Sequence, residues 1–158
     1  MKRALILCLV GFALLVLPTV ATGAKSGWST SGSGSPAGTF QSWQWSAKSD
    51  VGGANVSGHF SQRDAASNTY FSGDVTCLSV VSPAGSGQHT ARIGVLITDS
   101  NETTRPVGSS TYFVFRTNDG SQELNLVGAD VSVFVPHTVC PPPSGYTTPF
   151  DGSITIRP

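Results

Sequence analysis

Apolar and polar side chains alternate along much of this chain. Val56, Gly58 and Phe60 alternate with Ser57, His59 and Ser61, and Ala91, Ile93, Val95 and Ile97 alternate with Arg92, Gly94, Leu96 and Thr98. Val131, Val133 and Val135 alternate in the same way with Ser132 and Phe134. A period of two is that of a strand with one face buried. Turn-forming residues fall between the runs: Gly52-Gly53, Pro83 to Gly87, Asn118 to Ser121 and Asp151-Gly152, each able to reverse the chain between paired strands. The pattern predicts strands near 39–47, 54–63, 68–82, 89–98, 110–117, 122–127, 130–136 and 153–157. No helical period follows the first two dozen residues. Short strands without crossover helices predict an all-β, single-domain protein, either an antiparallel β-sandwich or a Greek-key or jelly-roll-like barrel.

The first two dozen residues obey a different pattern. Lys2-Arg3 precedes an unbroken apolar run from Ala4 to Leu17, and Pro18 separates that run from the small residues of Thr19 to Ala24. This is the layout of an export signal. The run is shorter than the roughly 20 apolar residues of a membrane-spanning helix, so the expectation is a signal peptide, 1–24, cleaved between Ala21 and Lys25, with a secreted product and no stable membrane span. Residues 25–38, KSGWSTSGSGSPAG, are rich in Gly and Ser without apolar period and read as a flexible lead-in to a β domain over 39–158. Trp28 is the anomaly in that stretch.

Charge and cysteine content narrow the classes. Nine basic residues balance nine acidic ones, which leaves no field to steer nucleic acid or anionic lipid to the surface. Cys8 lies within the apolar run and leaves with the signal, so Cys77 and Cys140 remain. In an oxidising compartment these two are expected to form one disulfide, the rival reading being a pair of buried free thiols. Metal binding by the pair is disfavoured because neither has a second ligand at metal-site spacing.

The segments Gly58-His59-Phe60, Gly73-Asp74-Val75-Thr76-Cys77-Leu78-Ser79-Val80 and Ala91-Arg92-Ile93-Gly94 resemble a group of small exported bacterial β-domain proteins of uncharacterised function. That group has a Gly-x-Phe strand, a Val-x-Cys-Leu-x-Val strand and an Ala-x-Ile-x-Gly strand; here Ser82 to Thr90 lengthens the intervening turn. The resemblance covers residues 54–120. It implies export and a β fold, and it brings no catalytic group.

Candidate chemistry is sparse. His59, His89 and His137 are the side chains poised to titrate near neutrality, yet none has a partner at a telling spacing, and His59 alternates outward with Ser57 and Ser61. No nucleophile elbow, EF-hand loop, phosphate-cradling glycine loop or HExxH helix occurs. Asp64, Asp74, Asp99, Asp119 and Asp130 offer many carboxylate pairs and no distinguished one; most adjoin turns, where an aspartate caps backbone donors. Asn55-Val56-Ser57 and Asn101-Glu102-Thr103 fit the glycosylation acceptor pattern, which carries no functional weight here. Trp43 and Trp45 share one strand face with Gln41. Buried, they are the main packing mass; exposed, they form a platform for sugar rings or a partner's apolar patch. The sequence therefore predicts a non-catalytic binding or extracellular structural module without cofactor, catalytic residue or metal. Its binding residues are Trp43 and Trp45, and its partner is a glycan or an extracellular protein. The alternative is a secreted hydrolase whose carboxylates meet only in the fold.

Overall fold

The computed structural model describes residues 27–118, 121–131, 140 and 147–158, with 121–131 and 147 described by backbone alone. Eight strands follow one another: β1 (Ser29–Pro36), β2 (Gln41–Lys48), β3 (Ser57–Asp64), β4 (Thr69–Val81), β5 (Gln88–Ser100), β6 (Ser110–Asn118), β7 (Ser121–Val131) and β8 (Thr147–Arg157). Each pairs antiparallel with the next, and β1 pairs with β8, from Ser29 opposite Arg157 to Pro36 opposite Phe150, closing one barrel. The all-β expectation holds in an up-and-down order. Because every strand pairs with its neighbour in sequence, no strand returns beside a non-consecutive one within the ring as a Greek key or jelly roll requires. No helix among the described residues is long and apolar enough to cross a membrane.

The interior is aromatic. Trp43, Trp45, Phe60, Phe71, Phe113, Phe115 and Phe150 project inward with Val75, Leu78, Ile93, Val95 and Ile97. The Trp45 indole stacks on Phe115 at 4.0 Å with an interplanar angle of 8°, and Phe60 stacks on Phe113 at 4.0 Å. Along β2 the outward positions are polar, Ser42, Gln44, Ser46 and Lys48 alternating with buried Trp43, Trp45 and Ala47.

The lead-in expected to be flexible is instead β1. Its inward positions are Thr30, Gly32, Gly34 and Pro36, so no apolar alternation marks it. The reason is space. A Cβ added at Gly32 would collide with the Trp45 indole, and one at Gly34 would lie 2.7 Å from a ring carbon of Phe150. Thr30, 2% exposed, accepts a hydrogen bond from Trp45 Nε1 at 3.2 Å. Trp28, just ahead of β1, packs partly buried against the core. The two strands expected at 122–127 and 130–136 merge over their described part into β7, and β8 begins at 147 rather than 153. The signal segment 1–24, His137 and most of the Pro-rich loop lie outside the described residues.

In β4 a bulge breaks strict alternation. Val75 opposes Val95 and Cys77 opposes Gly94, which makes Thr76 the extra residue. Val75, Leu78 and Val80 therefore all reach the core, while Cys77 turns to the outer face. There it is joined to Cys140, with Cα atoms 5.7 Å apart, and the Cys140 sulfur lies 3.5 Å from the Arg92 carbonyl oxygen. Around this bridge the outward-facing Tyr112 and Val114 of β6 are buried, at 4% and 5% exposure. Burial raises the Tyr112 phenol above its ordinary value, against the opposing effect of its hydrogen bond with Ser110.

Candidate functional site

The tryptophan pair does not form a surface. Trp43 and Trp45 are 6% and 3% exposed, and Trp43 meets Phe113 edge-on at 5.1 Å while donating its Nε1–H to Gln41 Oε1. The indole-platform expectation is corrected. An apolar barrel interior takes the largest rings available, and Gly32 and Gly34 on the neighbouring β1 make the room.

A concavity instead lies on the outer face of β1 to β4, a groove of about 720 Å³. Strand register builds it from two rows. Ser33, Gln44, Ser61 and Ser72 are successive cross-strand neighbours; Ser42, Arg63 and Tyr70 form the adjoining row. Hydroxyls and one amide thus repeat from strand to strand at the ~4.8 Å sheet spacing. Tyr70 is 40% exposed, and its hydroxyl lies 3.5 Å from Asp99 Oδ1, which steadies the ring at the groove wall. Arg63 is engaged weakly, its Nη2 at 3.5 Å from Asn68 Oδ1. No carboxylate lines the groove, so the guanidinium is its sole formal charge.

A second, smaller pocket of about 410 Å³ sits at the mouth of the barrel where the β3–β4 turn and the β5–β6 loop meet. Asp64, Thr69, Gln62, Glu102 and Arg105 line it. Asp64 Oδ1 accepts the Ala66 and Ser67 backbone N–H groups, the turn-capping role the sequence suggests for aspartates. Arg105 Nη1 donates to Glu102 Oε2 at 2.9 Å, and the guanidinium carbon lies 5.0 Å from the centre of the Phe71 ring.

The histidines do not converge with these sites. His59 is outward and largely exposed, 4.0 Å from Asp74, and His89 Nδ1 lies 2.7 Å from Ser82 Oγ. No group of three or more His, Cys, Asp or Glu among the described residues could hold a metal ion. Sequence reasoning passed over Tyr70 and Arg63. Their signal was present, because alternation with buried Phe71 and Gln62 already sends both outward. The groove itself depends on four strands coming into register and has no local signature. Comparison with known proteins adds no relative: no family model, curated protein or solved structure matches the chain.

Proposed function

We propose that this chain is an exported, non-catalytic binding module of the small bacterial β-domain kind, released by removal of residues 1–24, and that the outer groove of β1 to β4 binds a hydroxyl-rich chain, a polysaccharide. The observation that carries this reading is the lining of the groove: serine hydroxyls and a glutamine amide in register, one half-exposed tyrosine ring and one guanidinium. Hydroxyls and amides exchange hydrogen bonds with sugar hydroxyls, an aromatic ring packs on the apolar face of a sugar, and Arg63 is free to take a uronate carboxylate in bidentate fashion. Affinity electrophoresis through gels containing neutral or uronate-bearing polysaccharides tests it. Retardation by at least one polysaccharide is expected, with Tyr70→Ala or Arg63→Ala weakening it about tenfold, ~1.4 kcal/mol. Unretarded migration in every gel would overturn the proposal.

A hydrolase reading has one observation in its favour, the arrival of Asp64 and Glu102 at the same mouth. Both carboxylates already hold structural partners, a turn and a guanidinium, so binding is the better-supported reading. If Glu102→Gln or Asp64→Asn abolished a measured hydrolysis in a folded protein, the hydrolase reading would replace it.

A further inference from the structure

The mouth pocket contains two polar atoms that the fold itself leaves unmatched. Gln62 is 3% exposed, lines the pocket, and its Oε1 is buried with no hydrogen-bond partner. Arg105 Nε is likewise buried without a partner, although the rest of that guanidinium is fixed by Glu102 and by the Phe71 ring. A buried acceptor or donor without a partner is costly to the fold. Both residues line one pocket, and turning the two side chains toward it offers an acceptor and a donor to the same ligand.

The chemistry of the pocket selects among ligands. An anion would meet Asp64 and Glu102, and Glu102 already neutralises Arg105. A cation would find Glu102 held by Arg105 and Asp64 Oδ1 held by the Ala66 and Ser67 N–H groups. A hydroxyl both donates and accepts, so neighbouring hydroxyls can donate to Gln62 Oε1 and accept from Arg105 Nε, while the Asp64 carboxylate and the Thr69 hydroxyl at the wall take further ones. A cavity of about 410 Å³ is within the range that holds small molecules. We infer that the barrel mouth is a separate binding site for a small neutral polyol, such as a single sugar residue or a cyclitol. This site does not rest on the polysaccharide reading of the outer groove; Gln62 borders both, whereas Arg105 lines the mouth and not the groove, so Arg105→Lys separates the two.

Nuclear magnetic resonance titration of the folded protein with neutral monosaccharides and cyclitols, with calcium chloride and sodium gluconate in parallel, tests this. The expected result is saturable binding of at least one neutral polyol, with shifts at the backbone amides of Thr69 and of 101–105. Gln62→Met keeps the volume and removes the acceptor, and Arg105→Lys keeps the charge and removes Nε; each is expected to weaken binding at least tenfold, whereas His59→Ala, on the exposed outer face of β3 and lining neither concavity, leaves it unchanged. Should Gln62→Met not be recovered folded, Arg105→Lys decides. Absence of saturable polyol binding, binding indifferent to the variants, or a response to calcium or gluconate in place of polyols would each overturn the proposal.

Discussion

At the scale of single residues, the fate of Trp43 and Trp45 shows what alternation can and cannot say. The period of two places both indoles on one face of β2, and it says nothing of which face meets the core. That choice was made by partners far away in sequence, Phe113 and Phe115 on β6 and Phe150 on β8. Because Trp45 is stacked, buried and hydrogen-bonded to Thr30, Trp45→Ala is expected to cost about 3–5 kcal/mol of stability, read as a lowered urea midpoint with no selective loss of polysaccharide retardation. Tyr112 makes a pH prediction. Its folded phenol holds its proton more tightly than the unfolded one, so the associated stability is intact below the ordinary tyrosine range near 10 and is lost as pH rises through the folded value. Tyr112→Phe is expected to flatten that alkaline decline in thermal midpoints measured between about pH 8 and 11.

At the scale of elements, β2 to β6 were legible because each carries apolar residues on its inward face. β1 was not, since its inward Thr30, Gly32 and Gly34 are small for the sake of rings contributed by β2 and β8. A strand can thus be specified by what its neighbours lack room for. Gly32→Val raises local strand propensity and is nevertheless expected to destabilise the protein by at least about 1–3 kcal/mol through overpacking against Trp45. Ser31→Val, one residue away on the exposed outer face, is expected to change stability by under about 0.5 kcal/mol. Paired urea titrations distinguish the two. The bulge at Thr76 was also invisible to strict alternation, which groups Val75, Cys77 and Ser79 on one face and so misassigns Leu78 and Val80.

At the scale of the whole molecule, sequence gave the class and the cysteine pairing, while the closed topology depended on contacts between strands that no local pattern records. The Cys77–Cys140 bridge spans 63 residues of sequence, and in the chain-entropy account closing a loop of that size contributes roughly 4 kcal/mol. Reduction is therefore expected to lower the urea midpoint markedly, and a thiol reagent is expected to find no free thiol in the denatured, unreduced mature protein. The pairing of β1 with β8 has a different kind of consequence. Ser29 opposes Arg157, so the strand made first waits for the strand made last, and the slowest encounter of folding is the one that shuts the ring. Circular permutation moves that seam without removing it: splicing Pro158 to Gly27 through a short linker makes β8 and β1 a hairpin, and opening the chain at the exposed Ala84–Ser86 turn leaves β4 and β5 as the terminal strands that must close the ring. Stopped-flow refolding is expected to run at a similar rate in permutant and parent, because the barrel's staves are the same and one distant pairing shuts the ring in either order.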